Sequence, residues 1–401
     1  MKRKRIRNHI FLRDVLSLAL TAFGGPQAHV AMYLDLLVAQ RGYLTEDELI
    51  ELNALCQILP GPTSTQTITA IGFRVGGPKL AYLTLLIWAL PAVTLMTVAA
   101  FLIAYFQHEE HLDLSFAKFI MPMAVGFVAY AGQKIGRKVV KTTECVILMI
   151  LSAVVCYFYH SPYVFPAVLL VAGAFSSRNY RKEPIEEKTK INVEWANFGL
   201  WLGVLVGVAL IGYFTQNLAV RIFENFYRNG SLIFGGGQVL VPLLYSEFVD
   251  LKKYLSSEEF LTGFSLVQAV PGPVFSFSSY IGALSMREHG TVGQLLGSLM
   301  AAGGIFLPGT FLIFFVIRFW DSLKRYRPVR SSLAGINAAA SGMVIAAAFL
   351  LARPLNILAM PSDLDPVNIA VATGTFSALY FSRIPAPFIV LAGVLLGVFL
   401  A

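Results

Sequence analysis

The stretch FGGPQAH at residues 23–29 interrupts a hydrophobic run with two glycines and a proline, and FGGGQ at residues 234–238 repeats the interruption 211 residues later. The same spacing carries Tyr43-Leu44 onto Tyr254-Leu255, Gln57 onto Gln268 and Pro60-Gly61-Pro62 onto Pro271-Gly272-Pro273 without a gap. A register kept over about 40 residues marks an internal duplication. Looser matches extend it: ALPAVTL (89–95) against FLPGTFL (306–312), and FPAVLLVAG (165–173) against APFIVLAG (386–393).

The medium in which this duplication folds follows from composition. Of 401 residues, 56% are hydrophobic and 13% charged, about half the charge of an ordinary soluble domain. Leu80–Phe106, Phe198–Tyr213 and Gly293–Ile317 approach or exceed the roughly 20 residues that cross a bilayer as helix. No ten-residue alternation suggests a barrel. The expected fold is therefore all-α: a polytopic helical membrane protein of about 13 hydrophobic segments, embedded in a lipid bilayer. The net charge of +8 does not point to nucleic acid, because the basic residues cluster in short loops between apolar spans, as the positive-inside rule requires. MKRKRIRNHIFLRD at the start lacks a compact apolar core and cleavage site, so no signal peptide is expected. Cys56, Cys145 and Cys156 form no CxxC pair and read as small buried apolar residues; no metal, cofactor or disulfide is expected.

The polar stretch SSRNYRKEPIEEKTK (176–190) separates the two copies, and WANFGLWLGVLVGVALIGYF (195–214) has no counterpart before the first FGG break. One extra span inverts whatever follows it. Loop charges point the same way. QHEEHLDLSFAK (107–118) is acidic where RFWDSLKRYRPVR (318–330) is basic, and QKIGRKVVKTTE (133–144) is basic where ARPLNILAMPSDLD (352–365) is poor in base. The expected organisation is an N-terminal repeat at 1–176, a cytoplasmic linker at 177–194, an extra inverting helix at 195–217 and a C-terminal repeat at 218–401. The N-terminus is expected in the cytoplasm and the C-terminus outside. Segments around His160-Ser161-Pro162 are either two short spans or a broken hairpin.

Inverted repeats with Gly/Pro interruptions at matching positions point to a transporter's binding site near the bilayer midplane. A helix broken in lipid exposes backbone groups at several kcal/mol each, so breaks persist where protein, water or substrate supplies partners. The N-terminal end of a half helix favours anions. The candidate binding residues are accordingly Gly24, Gly25, Gln27, His29, Gln57, Gly61, Ser64, Thr65 and Gln66 in the first copy, with Thr63 beside them. In the second they are Gly235, Gly236, Gly237, Gln238, Gln268, Gly272, Ser276 and Ser278, with Ser279 beside them. Pro26, Pro60, Pro62, Pro271 and Pro273 are the expected helix breaks. His29 either binds anion, relays a proton or is a neutral imidazole held by a neighbour. Arg74 and Arg287, at the far ends of the post-PGP helices, either attract or gate an anion or snorkel to the interface. Asp14 and Asp35 read as surface anchors.

FGGPQAH, LCQILPGPTSTQ (55–66), FGGGQVLVPLL (234–244) and VQAVPGPVFSFSSYIGA (267–283) resemble the paired signatures of the chromate ion transporter family in its long form with two homologous domains. The resemblance covers nearly the whole chain outside the linker. It implies a multi-pass protein of the cell inner membrane that exports chromate and confers chromate resistance, driven by the membrane potential or by protons, with sulfate as a close analogue. On the family motif lie Phe23, Gly24, Gly25, Pro26, His29, Gln57, Pro60, Gly61, Pro62, Gln66, Phe234, Gly235, Gly236, Gly237, Gln268, Pro271, Gly272 and Pro273. Met32-Tyr33-Leu34 stands where members often carry a basic residue, and Tyr43 and Tyr254 stand where they often carry Trp. Sulfate or small-anion exchange is the alternative within transport. A lipid-phosphate enzyme would need a nucleophile and base or a metal cluster, and no HExxH or CxxC pattern is present. A GxxxxGK[ST] loop for direct ATP drive is also lacking.

Overall fold

The computed structural model describes residues 8–22, 29–30, 32–108, 119–139, 142–159, 164–178, 194–233, 237–319, 326–355, 357, 365–382, 384 and 386–400. All regular structure among them is helical, and the chain is an all-α polytopic membrane protein. The helices are α1 (Asn8–Thr21), α2 (Glu46–Ile58), α3 (Thr63–His108), α4 (Ile120–Val139), α5 (Thr143–Phe158), α6 (Val164–Ser177), α7 (Ala196–Thr215) and α8 (Leu218–Leu232). They continue with α9 (Gly237–Tyr245), α10 (Ser257–Ala269), α11 (Phe277–Ser285), α12 (Gly290–Val316), α13 (Arg327–Ala352), α14 (Pro366–Phe381) and α15 (Ala386–Leu400). Among the described residues three stretches are long and apolar enough to cross a bilayer unaided: Thr63–Phe106, Ala196–Thr215 and Arg287–Val316.

The 211-residue spacing holds in secondary structure. α1 is matched by α8, α2 by α10, and the π-helical turn Leu34–Gln40 by another at Ser246–Leu251. Two π turns at one register are not chance geometry, since such turns are rare and cluster at functional positions. α1, α2, α8 and α10 have 14, 13, 15 and 13 residues. At 1.5 Å per residue each reaches about 20 Å, short of the roughly 30 Å hydrocarbon core.

Local sequence explains where these helices stop. Thr45 and Glu48 form a capping box at the start of α2. Leu59, preceding Pro60, is extended at φ −80°, ψ 147°, the conformation a following proline enforces. α3 resumes at Thr63 and is itself kinked at Gly76-Gly77, where Gly77 adopts φ 76°, ψ −168°. Gly290, entering α12, takes nearly the same conformation at φ 69°, ψ −171°. Only glycine accepts these angles cheaply.

The chain divides into two compact units. The first comprises residues 1–100, 191–237 and 270–320, the second 101–190, 238–269 and 321–401. Each contains segments from both copies. In the first, α12 packs against α8, α11 and α7. Gly282 and Gly297 let α11 and α12 approach backbone to backbone. In the second, α13 packs against α5, α6 and α4, and α14 against α4. Ser176 and Ser331 donate to each other's carbonyls at 2.8 and 2.6 Å, and Ser152 donates to the Ala339 carbonyl at 2.6 Å. With no water in a bilayer to compete, such hydroxyl bonds hold helices that apolar contact alone would not select. Cys56, Cys145 and Cys156 are buried and free.

Candidate functional site

Both Pro-Gly-Pro turns lie in the first unit, and each bonds to the residue that precedes the FGG stretch of the opposite copy. The Gly61 N–H donates to the Ile233 carbonyl at 2.7 Å, and the Gly272 N–H donates to the Ala22 carbonyl at 2.8 Å. Ala22 precedes Phe23, and Ile233 precedes Phe234. The two bonds are related by the same 211-residue shift and cross between copies. Gly61 at φ 118° and Gly272 at φ 110° occupy backbone space that side-chain-bearing residues avoid. A Cβ on Gly272 would stand 3.0 Å from that of Ala92, and one on Gly61 3.5 Å from Gly309 Cα. Ala92 and Gly309 each follow the proline of the matched motifs ALPAVTL and FLPGTFL.

The side chains at the first turn form a closed network. His29 is 1% exposed, and its Nδ1 shares a hydrogen bond with Ser64 Oγ at 3.0 Å. Tyr33 donates its hydroxyl to the Ser64 carbonyl at 3.3 Å, and Trp88 Nε1 donates to Thr65 Oγ1 at 3.2 Å. The Trp88 ring meets those of His29 and Tyr33 edge-on, with centroids 5.3 and 5.5 Å apart. Gln66 Nε2 donates to the Pro60 carbonyl at 2.6 Å, satisfying a group that the break frees. Two buried atoms in this network have no hydrogen-bond partner, His29 Nε2 and Gln66 Oε1. At the second turn Ser276, Ser278 and Ser279 are wholly buried, and none of their three hydroxyls has a partner.

Of the residues the sequence nominates, the structure thus gathers His29, Gly61, Ser64, Thr65 and Gln66 at one turn, and Gly272, Ser276 and Ser278 at the other. Gly24, Gly25, Pro26, Gln27, Gly235 and Gly236 lie outside the described residues, as do the side chains of Gln57 and Gln238 and the segment at His160-Ser161-Pro162. Gly237 opens α9. Gln268 is half-buried near the end of α10, in the second unit. Arg74 is exposed and Arg287 half-buried; each stands three residues before the left-handed glycine, Gly77 or Gly290, that closes its half helix.

Asp14 is a correction to the sequence reading. Far from being a surface anchor, it is 5% exposed and receives Arg41 Nη2 and the Tyr43 hydroxyl, each at 2.6 Å. Burial, and then the hydrogen bond to Asp14, push the Tyr43 phenol up to about 12. This cluster ties α1 to the turn that follows the π-helical segment. Asp35 does lie at the surface, accepting from the Gln40 side chain at 3.1 Å.

Trp88, Tyr33, Ala22 and Ile233 are the residues the sequence reading misses. Trp88 lies 23 residues from its partner Thr65, so no local spacing exposes the bond. Ala22 and Ile233 act through backbone carbonyls, which side-chain chemistry does not reveal. Their identical place before each FGG break was the available signal.

Paired broken helices with buried, uncharged polar groups at the breaks define a polytopic membrane transporter. The sequence model described as chromate transporter matches residues 10–177 and 220–398, and the chain belongs to that family. It is 24% identical to the chromate transport protein of Pseudomonas aeruginosa over 95% of this chain and 90% of that protein. The same figures hold for the chromate transport protein of Cupriavidus metallidurans. An uncharacterized transporter of Methanocaldococcus jannaschii is 25% identical over 84% of this chain and 82% of its own length. No solved structure matches. Among the described residues no group of His, Cys, Asp and Glu is arranged to hold a metal ion.

Proposed function

We propose that this protein is a secondary transporter that exports chromate across the cell inner membrane by alternating access, conferring chromate resistance. The observation that carries the reading is the crossed pair of bonds, Gly61 N–H to Ile233 carbonyl and Gly272 N–H to Ala22 carbonyl. Each copy's Pro-Gly-Pro turn is anchored on the residue that precedes the other copy's FGG stretch. A rocking motion of inverted copies transmits through such links from one break to the other. The two copies run in opposite directions through the membrane, related by the extra helix α7, with the N-terminus cytoplasmic and the C-terminus outside. Domain limits follow the sequence: repeats at 1–176 and 218–401, the linker at 177–194 and the inverting helix at 195–217.

The oxyanion binds among the residues nominated at the four breaks, from Gly24 to Gln66 and from Gly235 to Ser278. Gln57 and Gln268, three residues before each Pro-Gly-Pro, offer amide donors to it. Arg74 and Arg287 draw anions toward the half helices, and protons are the coupling ion. Sulfate, a tetrahedral oxyanion of nearly the same shape and size, is the alternative substrate.

The reading is tested in proteoliposomes by the flux of labelled chromate under an imposed potential or pH gradient, with labelled sulfate measured beside it. Gln57→Ala and Gln268→Ala are each expected to abolish chromate flux while the protein reaches the membrane at normal abundance. Full flux in both variants removes the two amides from the site. Sulfate carried faster than chromate replaces the chromate reading with the sulfate one.

A further inference from the structure

Among the described residues, several helical hydroxyls bond to a carbonyl one turn back: Thr67 on Thr63, Thr69 on Thr65, Thr84 on Leu80 and Ser285 on Ile281, at 2.7–2.9 Å. Ser276, Ser278 and Ser279 take no such bond. They sit at and within the first turn of the nine-residue α11, just after the left-handed Gly272. Leaving a buried hydroxyl unpaired costs about 1–3 kcal/mol. Three such hydroxyls in four residues, at the positive end of a helix, form a site lacking its occupant's bonds.

Among the described residues, the walls around this turn are uncharged. Gly272 abuts Ala92, the Ala19 carbonyl and the Trp88 carbonyl, and α11 meets α12 along Gly297 and Ala301. α12 carries no ionisable side chain from Gly290 to Val316, and α11 carries only Tyr280. On α1, Asp14 is already paired with Arg41, two turns before Ala22, and His9 and Arg13 are exposed. On α3, Arg74 and Lys79 are exposed. Arg287, Glu288 and His289 form the 3-10 turn beyond the far end of α11. His29 is paired to Ser64 at the other break.

Charge desolvation grows with the square of the charge, so a dianion loses about four times the hydration of a monoanion of equal radius on entering such walls. Neutral hydroxyls do not repay that difference. Serine differs from lysine, arginine or a backbone N–H in that it accepts a hydrogen bond as well as donating one. A cluster of three can therefore donate to the bare oxygens of an oxyanion and accept from its O–H. Resting on the transport reading above, we infer that the Ser276, Ser278 and Ser279 cluster binds its tetrahedral oxyanion in the singly charged hydrogen form and discriminates against the dianion. Chromate takes up a proton near neutral pH and sulfate does not. The cluster thus separates two anions of nearly the same shape by their basicity.

The test uses the full chain in proteoliposomes with the potential clamped. Labelled chromate flux is followed across a pH series, with perrhenate as a permanently singly charged tetrahedral competitor and sulfate as a doubly charged one. Perrhenate is expected to compete at every pH and sulfate at least about tenfold more weakly, the equivalent of one charge-assisted hydrogen bond. Chromate flux is expected to follow the hydrogen form as pH changes. Ser278→Ala and Ser279→Ala are expected to lower both flux and perrhenate competition at unchanged membrane abundance, while Ser285→Ala, whose hydroxyl is already bonded, keeps the parent rate. Sulfate competing as well as perrhenate, or serine variants transporting at the parent rate, overturns the inference and leaves export standing. Absence of chromate flux at every pH overturns export and the inference together.

Discussion

The two Pro-Gly-Pro turns share a backbone and differ in their side chains. Gly61 and Gly272 have φ within ten degrees of each other, at 118° and 110°, and their N–H groups make equivalent crossed bonds. Thr65 corresponds to Ser276 and Thr67 to Ser278. Yet Thr65 accepts from Trp88, and Thr67 donates to the Thr63 carbonyl, whereas the hydroxyls of the two serines have no partner. Duplication preserved what the broken backbone needs; the copies then diverged in which hydroxyls the protein uses for itself. The first turn is a braced joint and the second an open one.

The largest effects should come from what the turns share. Alanine at Gly61 or Gly272 forces a Cβ into glycine-only backbone space at a cost of about 1–3 kcal/mol. At Gly61 the new Cβ stands 2.7 Å from Gln66 Nε2, displacing the amide from the Pro60 carbonyl and adding about 1 kcal/mol. At Gly272 it meets Ala92 at 3.0 Å, which yields by a small shift. Both variants are therefore expected to unfold at lower temperature in detergent, Gly61→Ala by the larger margin. A stable Gly272→Ala beside an unstable Gly61→Ala breaks the equivalence of the two turns.

A smaller effect sharpens the difference between them. Ser64→Ala strands the buried Nδ1 of His29 and is expected to cost about 1–3 kcal/mol in thermal or denaturant unfolding. Ser278→Ala removes a hydroxyl that has no partner, so stability is expected to hold or rise. Equal losses in both variants erase the distinction between braced and open joints.

Much of this was legible in the sequence because it resides in the backbone. The 211-residue register of FGG, Tyr-Leu, Gln and Pro-Gly-Pro anticipated the helix ends at Ile58 and Ala269, where prolines forbid continuation. The three long spans were visible as apolar length. The crossing of the copies was not, because Ala22 and Ile233 contribute carbonyls that every residue possesses. Nor was the fate of the hydroxyls: Ser64 and Ser276 look alike in one dimension, and only the position of His29 and Trp88 separates them. Asp14 was misread for the same reason, since its partners Arg41 and Tyr43 are 27 and 29 residues away.

The smallest predicted effect isolates a single bond of the braced joint. Trp88→Phe keeps an aromatic ring against His29 and Tyr33 but removes the donor to Thr65 Oγ1. Thr65 then stands as Ser276 does, buried with an unmet hydroxyl. The expected loss is about 1 kcal/mol in unfolding free energy. Thr65→Val made alone strands the Trp88 N–H and should cost a similar amount, but made in the Trp88→Phe background it should cost almost nothing further. A coupling of about 1 kcal/mol between the two substitutions measures the bond that distinguishes the joints. Additive losses mean that this bond carries no weight, and the contrast then rests on His29 and Ser64 alone.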